Sequence, residues 1–135
     1  MKIIRETIFL TKKQVLVLYE HLITKYGGSY GIRDENLLDS SLEAPKSGYG
    51  GEYFHKSIFD KAAAYLFHLV KNHPFIDGNK RIALACADIF LSINGYILEK
   101  KNEKEIYEFV LKLASDNSIS KEEISIFLKK NSKIK

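Results

Sequence analysis

The chain has 135 residues, 45% of them hydrophobic and 28% charged, with a formal net charge of +4. That length suits one domain, residues 1–135, burying a single core without disulfides, and the composition excludes a disordered, collagen-like or membrane-embedded chain. The positive balance would suit an acidic partner, but Lys and Glu are interspersed in "LEKKNEKEIYEF" and "SKEEISIFLKK", the pattern of a solvated helix face rather than a nucleic-acid stripe. A single cysteine, Cys86, lies inside the apolar run "IALACADIFL". No disulfide within the chain and no zinc cluster is expected, and a reducing cytoplasm fits best. "MKIIRETIFLTKKQ" has neither a continuous apolar core nor a small-residue cleavage site, so no leader and no membrane span are expected.

In chain order, "IIRETIFL" alternates loosely and is compatible with a short strand or an extended arm. Thr11 and Gln14 form a capping box for a helix whose apolar residues, from Val15 to Ile23, repeat at helical spacing until Tyr26-Gly27-Gly28. Asp34 caps a short helix through Leu37, Leu38 and Leu42 that stops before Pro45. The Gly- and Tyr-rich stretch "KSGYGGEYFHKS" separates it from "SIFDKAAAYLFHLV", a helix apolar nearly all round and therefore central to the fold. A second buried helix spans Asn79 to Ile93 and stops at Asn94-Gly95. After "YILEK", an extended return, Asn102 and Glu105 open a helix bearing Ile106, Phe109, Val110 and Leu113. Ser120 and Glu123 box the last helix, through Ile124, Phe127 and Leu128. The sum is an all-α bundle of about six helices.

Between the two apolar helices lies "NHPFIDGNKR", Asn72 to Arg81. Pro74 closes the upstream helix, Gly78 permits a positive-φ turn, and the next residues start a helix with free N–H groups, an arrangement that binds anions. Lys80 and Arg81 add full charge, and the Arg fork can grip two phosphate oxygens. Asn79 supplies a neutral amide donor. Asp77 would repel phosphates unless a divalent cation sat between, which points to magnesium. His73 can take the proton of an attacking hydroxyl. Phe75 and Ile76 are expected to point away as an apolar anchor.

These residues carry a family likeness. "HPFIDGNKR" closely resembles the signature of the Fic/Doc family, and "KYGGSYGIRDENLLDSSLEAP" resembles the upstream segment of its Doc (death-on-curing) branch. The resemblance implies an all-α Fic-type fold, ATP with Mg2+ at the signature loop, and transfer of a phosphate-containing group to a protein hydroxyl. In the Doc branch it implies phosphorylation of a threonine on the EF-Tu-like elongation factor that carries aminoacyl-tRNA, a toxin activity that halts translation. Carried onto this chain, it makes His73 the general base, Asp77 the magnesium ligand, Gly78 and Asn79 the phosphate-binding turn, and Lys80 and Arg81 phosphate-binding residues active in the transfer.

Lys80 stands where the adenylyl-transferring branch usually has a second glycine. A long cation there favours an inverted ATP and γ-phosphoryl transfer, although Gly78 and Pro74 depart from the best-known Doc pattern and leave AMP transfer as the alternative. The family also implies a flap that docks the target, and "KSGYGGEYF", with Gly48, Tyr49, Gly50, Gly51 and Tyr53, is the corresponding segment, either a mobile hairpin or a plain surface loop. In "GIRDEN", Gly31 stands where some members carry an inhibitory Ser or Thr. No built-in inhibitor is read, so control is expected from an antitoxin with a disordered C-terminal inhibitory segment. A second alternative, from another class, is a non-catalytic phosphate- or RNA-binding module, disfavoured because Asp77 beside the cations serves no RNA contact. No direct nucleic-acid binding is expected. His21, His55 and His68 lack comparable neighbours and are assigned no chemistry, and Cys86 is read as a buried apolar residue.

Overall fold

A computed structural model describes residues 6–135, so the first part of the "IIRETIFL" segment lies outside the described residues. Residues 6–10 belong to no helix or strand and are held to the end of the Asn79–Ile93 helix by the Asn94 amide, which donates to the Ile8 carbonyl and accepts from its N–H.

The helix starts follow from their caps. Helix α1 (Lys12–Tyr26) begins at the reciprocal Thr11–Gln14 capping box. Helix α2 (Glu35–Glu43) begins where the Asp34 carboxylate accepts the Leu37 N–H, and Pro45 sits in a single 3-10 turn behind it. Helix α3 (Ile58–Asn72) starts at a second full box, Ser57 with Asp60. Helix α4 (Asn79–Ile93) has Gly78 as its N-cap, and α5 (Glu103–Ser115) and α6 (Lys121–Lys130) complete the bundle. These six helices, with two small antiparallel strand pairs, make an all-α bundle.

Helix α3 is the axis. Ala62, Ala63, Ala64, Tyr65, Leu66 and Leu69 are fully buried, and α3 packs against α4, α6 and α2. The alanines let neighbouring helices approach closely, while each buried Leu contributes roughly 1.5–3 kcal/mol through apolar burial. Lys71 ties the C-terminal end of α3 to the end of α5 by donating to the Leu113 and Asp116 carbonyls. Among the described residues no helix is long and apolar enough to cross a membrane.

Two expectations about helix caps need correction. Asn102 makes no side-chain cap; its amide donates to the Asn131 side chain instead. The Ser120 hydroxyl accepts the Glu123 N–H, but the reciprocal half of that box is absent. The "YILEK" return is a strand, β3 (Tyr96–Leu98), and its partner β4 (Ser132–Ile134) falls in a polar tail with no strand periodicity. The segment before α3 is a hairpin: β1 (Gly48–Tyr49) pairs with β2 (Glu52–Tyr53). Gly50 and Gly51 turn it at φ 62° and 83°, the two positive angles that a tight two-residue turn requires.

Candidate active site

The loop joining α3 to α4 is bracketed by two left-handed residues. Gly78 (φ 79°) opens α4 without strain, whereas His73 (φ 50°, ψ 54°) ends α3 and is the only non-glycine with positive φ among the described residues. For an L-residue that conformation costs roughly 1–2 kcal/mol. Such strain persists where surrounding contacts impose it.

Those contacts come from the segment between α1 and α2. Gly31 accepts the Ile76 N–H at 2.9 Å, and Pro74 accepts the Arg33 and Asp34 N–H groups at 2.7 and 3.0 Å. Ile32 bridges Phe75 as a short antiparallel pair. The Arg33 guanidinium donates from Nε to the His73 carbonyl at 2.6 Å and from Nη2 to the Asn72 carbonyl at 2.9 Å. The loop is thus held along one whole side.

On its other side the loop is anchored by Phe75, which is fully buried and stacks on Tyr19 at 3.8 Å. Tyr19 reaches past the ring to donate to the Asp77 carbonyl at 2.8 Å, and burial pushes its phenol above the ordinary value, keeping it a donor. Ile76, expected to share the anchor, is half exposed and covers Gly31 instead, so closely that a Cβ at Gly31 would lie 2.5 Å from its Cδ1.

Asn79 also departs from expectation. Its side chain is buried, accepting the Phe75 N–H and donating to the Phe75 carbonyl, both at 2.9 Å. The amide therefore closes the loop internally and is not a donor for phosphate. What remains for an anion is backbone: the N–H groups of Asn79, Lys80 and Arg81 have no acceptor among the described residues, as the first turn of a helix dictates.

Asp77 is exposed and its two oxygens each accept one backbone N–H, from Gly78 at 2.8 Å and Ser29 at 3.2 Å. Gly28 makes that approach possible, since a Cβ there would lie 2.7 Å from Oδ2. Each oxygen keeps lone-pair capacity. Among the described residues no group of three His, Cys, Asp or Glu is placed to hold a metal unaided. A single carboxylate with spare lone pairs beside free N–H donors fits magnesium, which completes its shell from phosphate oxygens and water.

Lys80 and Arg81 have no ion-pair partner among the described residues. The Arg81 guanidinium lies 4.3 Å over the Tyr26 ring. From there it lines a groove of about 510 Å³ with Leu22, Leu84, Ile106 and Tyr107. His73 is exposed at the loop's start. The loop therefore carries a histidine, a carboxylate, two cations and a helix N-terminus, and a model of the Fic/DOC family matches residues 9–91. The chain belongs to the Fic/DOC family.

Two curated relatives are similar in sequence. One, named Toxin Doc, from Mycolicibacterium smegmatis, is 44% identical over 70 residues, covering 52% of this chain and 54% of the relative. The other, named Protein kinase doc, from Escherichia phage P1, is 29% identical over 86 residues, covering 64% of this chain and 68% of the relative. The chain thus spans about half the length of the first relative and two thirds of the second.

The segment expected to be a flap, Gly48–Tyr53, is a hairpin. Tyr49 is almost fully exposed, while Tyr53 rests on Phe9 and under the Lys61 ammonium, 4.4 Å from its ring. Cys86 is buried and its thiol is pushed up to about 12 by burial, which suits an inert core residue. Sequence reasoning missed the supporting residues Tyr19, Gly28, Ser29 and Arg33. Only the likeness of "KYGGSYGIRDENLLDSSLEAP" to the Doc branch flagged that stretch, without giving it a task.

Proposed function

We propose that this protein is a Doc-type toxin that transfers the γ-phosphoryl group of ATP to a threonine hydroxyl of an EF-Tu-like elongation factor. The observation that carries the reading is the site itself: a histidine and a lone carboxylate on one rigid loop, with Lys80 and Arg81 at the helix N-terminus lacking ion-pair partners among the described residues. The name of the phage relative, a protein kinase, supports phosphoryl transfer.

In this reading the free N–H groups of the first turn of α4, with Lys80 and Arg81, hold the phosphates and gather positive charge where the transition state spreads its negative charge. Asp77 would hold Mg2+, whose charge neutralises phosphate oxygens when it is bound. The threonine hydroxyl gives its proton to the His73 imidazole as its oxygen bonds to the γ-phosphorus. The bond from that phosphorus to the β,γ-bridging oxygen breaks, and ADP leaves with the electron pair. The β1–β2 hairpin, with Gly48, Tyr49, Gly50, Gly51 and Tyr53, docks the target chain by strand pairing. Control falls to an antitoxin whose disordered C-terminal segment covers the groove, and the site of action is the cytoplasm.

The alternative is AMP transfer by the same residues with ATP reversed, favoured by Gly78, which resembles the adenylyl-transferring branch. The test is incubation of the protein with a bacterial lysate, magnesium and ATP labelled at either the γ or the α phosphate. Label from the γ position alone supports the kinase. Label from the α position establishes AMP transfer, and silence from both favours phosphate or RNA binding without chemistry.

A further inference from the structure

His73 faces two conflicting demands. As the residue before Pro74 it is sterically pushed toward extended backbone, and as the residue that follows α3 it would otherwise cap the helix with right-handed backbone. It is instead the C-cap of α3, the residue after Asn72, in the left-handed conformation at φ 50° and ψ 54°. Any residue can vary at an exposed position unless something fixes its backbone, and a change in φ swings the side chain attached to it.

The fixing group is the Arg33 side chain. Its two N–H groups reach the consecutive carbonyls of Asn72 and His73 at 2.9 and 2.6 Å, while its own N–H holds the Pro74 carbonyl at 2.7 Å. Three successive carbonyls are thus pinned by one residue. Two of those bonds need donors at a fixed spacing in one plane, which the guanidinium fork supplies and a lysine ammonium does not. The cation also sits at the C-terminal, electronegative end of α3, where helix geometry leaves carbonyls without partners.

The geometry points to Arg33 as the positioning residue for His73: it holds the His73 backbone left-handed and so fixes where the imidazole stands over the phosphate site. The inference rests on the reading of His73 as the base. Arg33 itself, occupied by backbone carbonyls, acts through His73 rather than on a substrate. The "GIRDEN" segment, which carries no inhibitory hydroxyl, is here a brace for the active loop.

The experiment compares the wild type with Arg33→Lys, Arg33→Ala, His73→Ala and the double Arg33→Ala/His73→Ala protein. The rate of γ-label transfer from Mg·ATP to lysate protein is measured below each variant's unfolding transition. The Cα and Cβ chemical shifts of His73 are read by NMR. Arg33→Lys and Arg33→Ala are expected to lower the saturated rate about 10²-fold, the loss that a misplacement near 1 Å produces. KM for ATP should not change, since Asp77, Lys80 and Arg81 are untouched. The His73 shifts should leave the left-handed range, and Arg33→Ala should cost nothing further once His73 is Ala. Arg33→Lys transferring label like the wild type, with unmoved His73 shifts, overturns the inference while leaving the function standing. A wild type that transfers no label overturns the function instead. The His73 shifts then decide the backbone role alone: unmoved in Arg33→Lys, they overturn that as well.

Discussion

Two connections leave the helical core of this protein, and they are built in opposite ways. The stretch between α1 and α2, residues 27–34, has almost no regular structure, yet its backbone bonds to the loop at Pro74, Ile76 and Asp77 and the Arg33 side chain bonds to the Asn72 and His73 carbonyls. The stretch between α2 and α3 forms its own hairpin, whose strands are two residues long and exposed on both sides. The first connection surrenders its hydrogen bonds to the active loop and makes that loop rigid. The second keeps its bonds to itself and leaves strand edges free. The proposed function uses both: a general base must be held in place, and docking an extended chain needs free strand edges.

The sharpest way to break this contrast is to remove His73, the proposed base, from the rigid loop. His73→Ala is expected to lower transfer by about 10²- to 10⁴-fold, the usual worth of general-base help, with no change in folding, as label transfer and circular dichroism would show. Phe75→Ala attacks the anchor. With the ring fully buried and stacked on Tyr19, the loss should be about 3–5 kcal/mol in a urea titration. Asn79→Ala strands the buried N–H and carbonyl of Phe75, so stability should fall by about 1–3 kcal/mol.

The hairpin should respond more mildly. Gly50 has open space around a Cβ but φ 62°, so Gly50→Ala costs the hairpin about 1–2 kcal/mol. Faster amide exchange at Tyr49 and Tyr53 is expected, with an unchanged unfolding midpoint, because the hairpin carries none of the core. Transfer to the target should weaken through KM and not through the saturated rate.

A pH effect separates both regions from the bundle. Burial, aided by Lys121, whose ammonium lies 3.3 Å from the ring, lowers the His68 pKa to about 4. The unfolded chain therefore takes up that proton first. Stability is untouched above about pH 6.5 and falls as pH drops from there toward 4, and His55, lowered the same way, adds to the fall. His68→Gln should flatten part of that slope in thermal unfolding midpoints.

Much of this was legible in the sequence. Caps at Thr11 and Asp34, the glycines at 27 and 78, and the apolar periodicity placed the first four helices, because these signals act within one or two turns. The loop was legible because His73, Asp77, Gly78, Lys80 and Arg81 fall within nine residues. What was hidden is whatever depends on segments distant in the chain. Asn79 reads as a phosphate donor until Phe75 is seen folded back upon it. Arg33 reads as a polar loop residue until the carbonyls forty residues later arrive beside it. Strand β4 has no pattern of its own and exists because β3 offers an edge.

The most direct test of the central claim is the intact mass of a purified EF-Tu-like elongation factor after incubation with this protein, magnesium and ATP, followed by peptide mapping. The account predicts one added phosphoryl group on a threonine, absent when His73 is replaced by Ala. An added AMP, or an unmodified factor in the presence of folded wild-type protein, would contradict it.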